Sequence, residues 1–351
     1  PQPSGRRAAM SAWSAAGAVA GASGFMVGGA VTQIIGWRAM FWLNLPLALV
    51  IATGVVARVS GSRRSDPPRL HLARGLLFSA GVAGLVLGAS VVQPPGHPEL
   101  GLVAIGGGAL LLAVVVGVER HAEHPLIPRD GLRHRSLRVG AAAAFLNTAT
   151  TSSAAAIATL ELQRVQHLSP AAAGLRLLPL SFGAIAGAAL ASPTLRRLPA
   201  QGTIALGLAV IGLADIGLIA LHHAGWLLPA PVSVMGVGLG VSSVAANALG
   251  TDVGASLQAA AAGVLNTAAQ LGTALGVAVL LLLSATGASL AFPLSGPLLG
   301  WAAAAALALA GAAIIAARPL RSRRRGSGTA SPSSPAPPPR RQRPGTASPG
   351  R

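Results

Sequence analysis

Cysteine is absent from this 351-residue chain, so neither a disulfide framework nor a thiolate metal site can hold it together. Lysine is absent as well: every one of the 26 basic residues is arginine, set against eight acids, for a net charge of +18. Charge of either sign is scarce, since 10% of residues are charged where a soluble domain carries about 25%. With 52% hydrophobic residues and a mean hydropathy of +0.63, a water-soluble fold would need an implausibly large core. No G-x-x-x-x-G-K-[ST] phosphate loop is present, which excludes an ATP-powered machine of that type. The eight histidines are scattered without ligand spacing, so no metal site and no cofactor is expected. Serine and threonine are common, but none sits in a pattern that pairs a nucleophile with a base, and no enzymatic activity is expected. The start carries no charged segment followed by a short apolar core and cleavage site. The first residue is Pro1 rather than Met, which suggests a chain beginning partway through a longer protein.

What is present is small and apolar. Between Gly17 and Pro46 the chain reads GAVAGASGFMVGGAVTQIIGWRAMFWLNLP, with Gly17, Gly21, Gly24 and Gly28 in steps of four, three and four. At 3.6 residues per turn these lie along one helix face as a bare groove. Glycine is costly in a water-exposed helix, yet in lipid close packing drives helix association and small residues become an interface device. The 45 glycines, the many alanines and the arginine-only basic set fit a GC-rich bacterial genome.

Crossing the hydrocarbon layer takes about 20 apolar residues. Ten such runs are found, at 8–35, 37–57, 75–92, 100–118, 139–160, 171–194, 203–221, 227–249, 259–285 and 298–317. The fifth is the weakest, because Asn147, Thr148, Thr150, Thr151, Ser152 and Ser153 interrupt it. Fourteen arginines fall in one alternate set of loops, 6–7, 58–74, 120–138 and 196–197, against Arg38, Arg164 and Arg176 on the opposite side. Arginine in short loops stays cytoplasmic, so both chain ends are expected in the cytoplasm of a multi-pass protein of the bacterial cell membrane. Residues 318–351 hold nine arginines and no acid. They are expected to form a disordered tail that is either a solvated stop after the last span or a partner of anionic lipids, with no nucleic acid expected.

Several ordered motifs resemble one family. Gly24, Gly28 and Gly29 match part of a glycine-rich G-P-x-x-G-G helix, and Trp37, Arg38, Phe41, Asn44 and Pro46 match the W-R-x-x-F-x-x-N-x-P entry to the next helix. Further on, His124-Pro125-Leu126, Arg135-Ser136, the stretch from Leu162 and Gln163 to Pro179, and Ala262 to Gly276 continue the likeness. Together they resemble the major facilitator superfamily in its fourteen-span drug:proton antiporter branch. That resemblance implies an all-α polytopic bundle of about ten membrane helices, corresponding to helices five to fourteen and lacking the first four. It implies a cytoplasmic start (1–7), two helices of the N-terminal half (8–57), a loop (58–74), two linker helices (75–118), a second loop (119–138), a six-helix C-terminal half (139–317) and the tail (318–351). Where the family has proline after the third glycine this chain has Phe25. The helix should therefore run straighter than one that has lost a hydrogen bond to proline.

Polar residues at membrane depth are the functional candidates. Asp215 has His222 as its nearest polar partner in sequence, roughly 10 Å along the same helix face. It either carries protons or sits near the outer interface and reaches water. Glu161, beside Gln163 and Arg164, either marks the outer end of a span or recognises a cationic drug from the central cavity. Asn266 and Gln270 share one face with Gly263 and Thr273, as Asn247 does with Gly236, Gly240 and Ser243. Such amides either bond neighbouring helices or line a substrate path. Asn147 with Thr151, at i and i+4, is the better candidate for lining the path. The resemblance implies export of drugs or small amphipathic metabolites in exchange for protons. The alternatives are an uncoupled facilitator and a non-transporting fragment or scaffold.

Overall fold

The computed structural model describes residues 24–58, 72–92, 97–122, 133–254, 257–286 and 296–317. Gly17 and Gly21 of the glycine groove and the basic tail lie outside the described residues. Ten α-helices account for nearly all of what is described, and no strand occurs among these residues. They are α1 (Gly24–Ile34), α2 (Arg38–Arg58), α3 (Leu72–Val92), α4 (Pro98–His121), α5 (Arg135–Leu160), α6 (Pro170–Arg197), α7 (Ala200–Leu221), α8 (Pro229–Gly250), α9 (Gln258–Thr286) and α10 (Pro297–Ala317). Each falls on one of the ten apolar runs. Eight of them are long and apolar enough to cross a membrane. α5, with 26 residues, owes its lower hydropathy to the polar run from Asn147 to Ser153.

Local chemistry sets the helix ends. Between α1 and α2, Gly36 adopts φ 98°, a left-handed turn that costs glycine nothing. At the start of α6, Ser169 caps the helix by accepting a hydrogen bond from the Ala172 amide at 3.3 Å. Pro170 follows at the first helical position, where its missing N–H costs nothing. The last turn of α5 widens into a π-helical turn, Glu161–Val165, and His167 closes it with φ 53°.

Six helices, α5 to α10, share one core. α5 is its hub, touching α8, α9 and α10, while α8 also packs on α6 and α7. Small residues make these approaches close. The Gly183 and Gly236 backbones meet so tightly that a Cβ on Gly236 would stand 3.0 Å from the Gly183 Cα, and one on Gly207 would stand 2.7 Å from the Ser242 amide. α3 and α4 form a separate glycine-lined hairpin through Gly81, Gly84 and Gly88 against Gly101 and Gly108. The first turn of α3 and the last turn of α4 are joined by an Arg74–Glu119 ion pair at 3.0 Å.

Candidate functional site

The polar run of α5 becomes a ladder of interhelical bonds. Asn147, fully buried, donates from Nδ2 to Ser243 Oγ of α8 at 2.7 Å and to the Leu239 carbonyl at 3.4 Å. Thr148 Oγ1 donates to the Ala269 carbonyl of α9 at 2.6 Å, and the Ser152 and Thr273 hydroxyls share a bond of 3.3 Å. Trp301 of α10 donates its indole N–H to the Ala154 carbonyl at 3.2 Å. The other hydroxyls turn back on their own helix: Thr151 donates to the Asn147 carbonyl at 2.7 Å, Thr150 to that of Leu146 at 2.9 Å, and Ser153 to that of Ala149. This back-bonding removes most of the desolvation cost of hydroxyls inside a bundle.

Two polar sites are left incomplete. Asn147 Oδ1 of α5 and Ser242 Oγ of α8, which packs on Gly207 of α7, are buried and have no hydrogen-bond partner among the described residues. Asn147 stands about 18 Å along α5, near the middle of the helix. On α7, Asp215 is 0% exposed and neither carboxylate oxygen has a partner. Among the described residues this carboxylate is shut off from the molecular surface, and His222 does not bond it. That imidazole instead donates from Nδ1 to the Ile219 carbonyl at 2.8 Å.

The histidine pair belongs to another acid. The His222 and His223 rings lie against each other, tilted by 42° with centroids 3.6 Å apart, and both lie within electrostatic reach of Glu161 in the π-helical turn beyond the end of α5. Glu161 is 7% exposed. Burial raises its carboxyl above the usual range, and the two histidines pull it back down. Gln163 is half-buried and Arg164 exposed in the same turn. Sequence reading missed this Glu161–His222–His223 cluster, because the π turn and the α7–α8 turn are 60 residues apart and no spacing joins them.

The stripe on α9 divides. Leu265 and the closely packed Gly272 and Gly276 face the core, while Asn266 and Gln270 are exposed and Gly263 has open space around it. Neither amide bonds another helix among the described residues. Asn247 of α8 is exposed too, its Nδ2 donating to the Ser243 carbonyl one turn back at 2.9 Å. Each stripe is split by its neighbours: Thr273 bonds Ser152 of α5 and Ser243 bonds Asn147, while Asn266, Gln270 and Asn247 are exposed.

The glycine-rich segment meets the same bundle at the start of α6. Gly29 abuts the Pro170 carbonyl, which a Cβ would reach at 2.6 Å, and Gly174 abuts the Phe25 carbonyl. Ala171 donates its N–H to Gln33 Oε1 at 3.3 Å. Gly24, by contrast, has open space, and Gly28 makes only ordinary contact with Met40. At the entry to α2, the Arg38 guanidinium lies 4.6 Å over the Trp37 ring, Phe41 meets Trp37 edge-on at 6.0 Å, and Asn44 donates to the Met40 carbonyl at 3.0 Å. Pro46 sits inside α2.

A family model described as Major Facilitator Superfamily matches residues 2–277. Among similar proteins are the lincomycin resistance protein of Streptomyces lincolnensis, 31% identical over 73% of this chain and 54% of that protein, and the cephamycin export protein CmcT of Amycolatopsis lactamdurans, 33% identical over 81% and 60%. The puromycin resistance protein pur8 of Streptomyces alboniger is 30% identical over 79% of this chain and 57% of its own length. The chain thus spans little more than half the length of these relatives. Ten membrane-length runs, a hydrogen-bonded helical core and a match over most of the sequence place this chain in the major facilitator superfamily, a family of membrane transporters.

Proposed function

We propose that this chain is the greater part of a carrier that exports amphipathic small molecules across the bacterial cell membrane in exchange for protons. The observation that carries the proton half is Asp215. An ionised carboxylate buried without partners costs several kcal/mol, so an acid at this position needs a proton, a cation or entering water, and a transport cycle supplies such exchanges. In this reading α5–α10 form one six-helix half, α3–α4 the linker pair and α1–α2 part of the other half, equivalent to helices five to fourteen of a fourteen-span carrier. Both chain ends are cytoplasmic. The substrate path runs past the Asn147 amide oxygen and Thr151 and along the exposed amides of Asn247, Asn266 and Gln270. Glu161 and Gln163 stand at its outer mouth, where a carboxylate suits a cationic drug. The names of the relatives, which speak of resistance to or export of lincomycin, cephamycin and puromycin, support substrates of this class. The α1–α6 contact supports an outer closure that must part when the path opens outward.

The test is drug movement in inverted membrane vesicles under an imposed pH gradient. Asp215→Asn is expected to abolish pH-driven movement while drug binding persists. Unchanged movement removes Asp215 from the proton route. Movement in the parent that ignores collapse of the gradient identifies an uncoupled facilitator instead, and binding without any movement identifies a scaffold.

A further inference from the structure

We infer that the cytoplasmic end of the six-helix bundle holds a binding site for one anionic phospholipid between α5, α7 and α10. A cavity of about 280 Å³ opens there. Arg135 and Arg138, on the first turn of α5, form its cytoplasmic rim, and Ala142 continues the same face one turn deeper. The floor is Gln201, 6% exposed at the start of α7, with Ile315 of α10. The membrane side is Ile314, 59% exposed.

Three features select the occupant. First, the rim is cationic and lies where the inner leaflet's phosphates lie, since the arginine-rich loops are the cytoplasmic ones. Arg133 and the Arg196–Arg197 pair at the end of α6 add to the field. At this end the described acids are Asp252, whose carbonyl accepts from Ser136 Oγ at 3.4 Å, and Glu119, which is paired with Arg74. Second, guanidinium offers five donors in a planar fork that suits phosphate oxygens, so one existing partner does not exhaust it. Third, the walls below the rim are apolar and open sideways to the bilayer through Ala142 and Ile314, which fits acyl chains and offers nothing to a soluble anion. Basic pockets between membrane helices on the cytoplasmic side bind acidic headgroups for these reasons. This proposal does not rest on transport.

The experiment counts retained lipids by native mass spectrometry on the full chain, titrated with phosphatidylglycerol, phosphatidylcholine, glycerol 3-phosphate and inorganic phosphate. The parent is expected to keep one phosphatidylglycerol in preference to phosphatidylcholine. Arg135→Gln with Arg138→Gln should weaken that binding about 25-fold, at about fivefold per arginine near the membrane surface. Ala142→Trp, which leaves both arginines and fills the apolar part, should also release the lipid. The tail is present in every variant, so its contribution cancels. The site is overturned if the double variant binds phosphatidylglycerol as the parent does. It is equally overturned if Ala142→Trp leaves binding intact, which would reduce it to surface charge, or if inorganic phosphate or glycerol 3-phosphate displaces the lipid, which would make it a soluble-anion site.

Discussion

Asp215 and Glu161 are both buried carboxyls, but their surroundings divide their roles. Asp215 has only apolar neighbours in its helix and no bonded partner, whereas Glu161 sits past the end of α5 against two adjoining imidazoles. The Glu161 carboxyl is raised by burial, so its folded-state value lies above that of the unfolded chain. Its contribution to stability is then full below the unfolded value and is lost as pH rises through the folded one. Thermal stability of the parent should accordingly fall between about pH 4 and pH 7 by more than that of Glu161→Gln, which has no carboxyl to ionise. Equal slopes in a scanning melt of the two proteins would show that the π turn does not bury this acid in solution. Asn147 shows a third arrangement, with its donor side satisfied by Ser243 and its acceptor side empty.

The helices of this bundle approach through glycine and alanine, and not every glycine in the pattern is used. Gly174 sits against the Phe25 carbonyl, while Gly24 has nothing near its missing side chain. Gly174→Leu should force α1 and α6 apart and destabilise the protein by about 1–3 kcal/mol, the usual range for overpacking. Gly24→Leu should be neutral or gain up to about 1 kcal/mol from helix propensity. Denaturation in detergent distinguishes them, and equal effects would mean that α1 does not rest on α6. The positions of the ten described helices, eight of them long and apolar enough to cross a membrane, were legible in the sequence, because apolar length, proline punctuation and arginine loops are local signals. The role of α5 was not. Its polar run makes it the weakest span by hydropathy, yet in the folded bundle the same residues make it the hub, since each hydroxyl bonds either its own helix or a neighbour's carbonyl. Periodicity told which residues share a face, as with Asn266 and Gln270, but not what that face meets. The Glu161 cluster and the empty acceptor of Asn147 depend on contacts between distant segments, which no pattern within one segment encodes.

Across the described residues, large apolar side chains such as Trp301, Leu208 and Met235 fill the core, yet many others cover the surface. The core is also rich in alanine, glycine and small polar groups, while large aliphatic side chains such as Leu47, Val50, Val103 and Leu213 are exposed, Val56 reaching 83%. None of the 21 residues of α2 is buried. In water such a surface would drive aggregation; against acyl chains it costs nothing, and association then rests on close packing and hydrogen bonds between helices. The arginine distribution adds a direction to that surface, and the absence of cysteine makes the direction testable without background labelling. Trp226, 73% exposed in the α7–α8 turn, should face outward, and Leu198, 41% exposed between α6 and α7, should face the cytoplasm. In intact cells a membrane-impermeant maleimide is expected to label Trp226→Cys and to spare Leu198→Cys until the membrane is opened. The opposite pattern would reverse the topology and move the arginine-rimmed cavity to the outer leaflet, whereas labelling of both in intact cells would show that the α6–α7 turn is reached from outside through an open path.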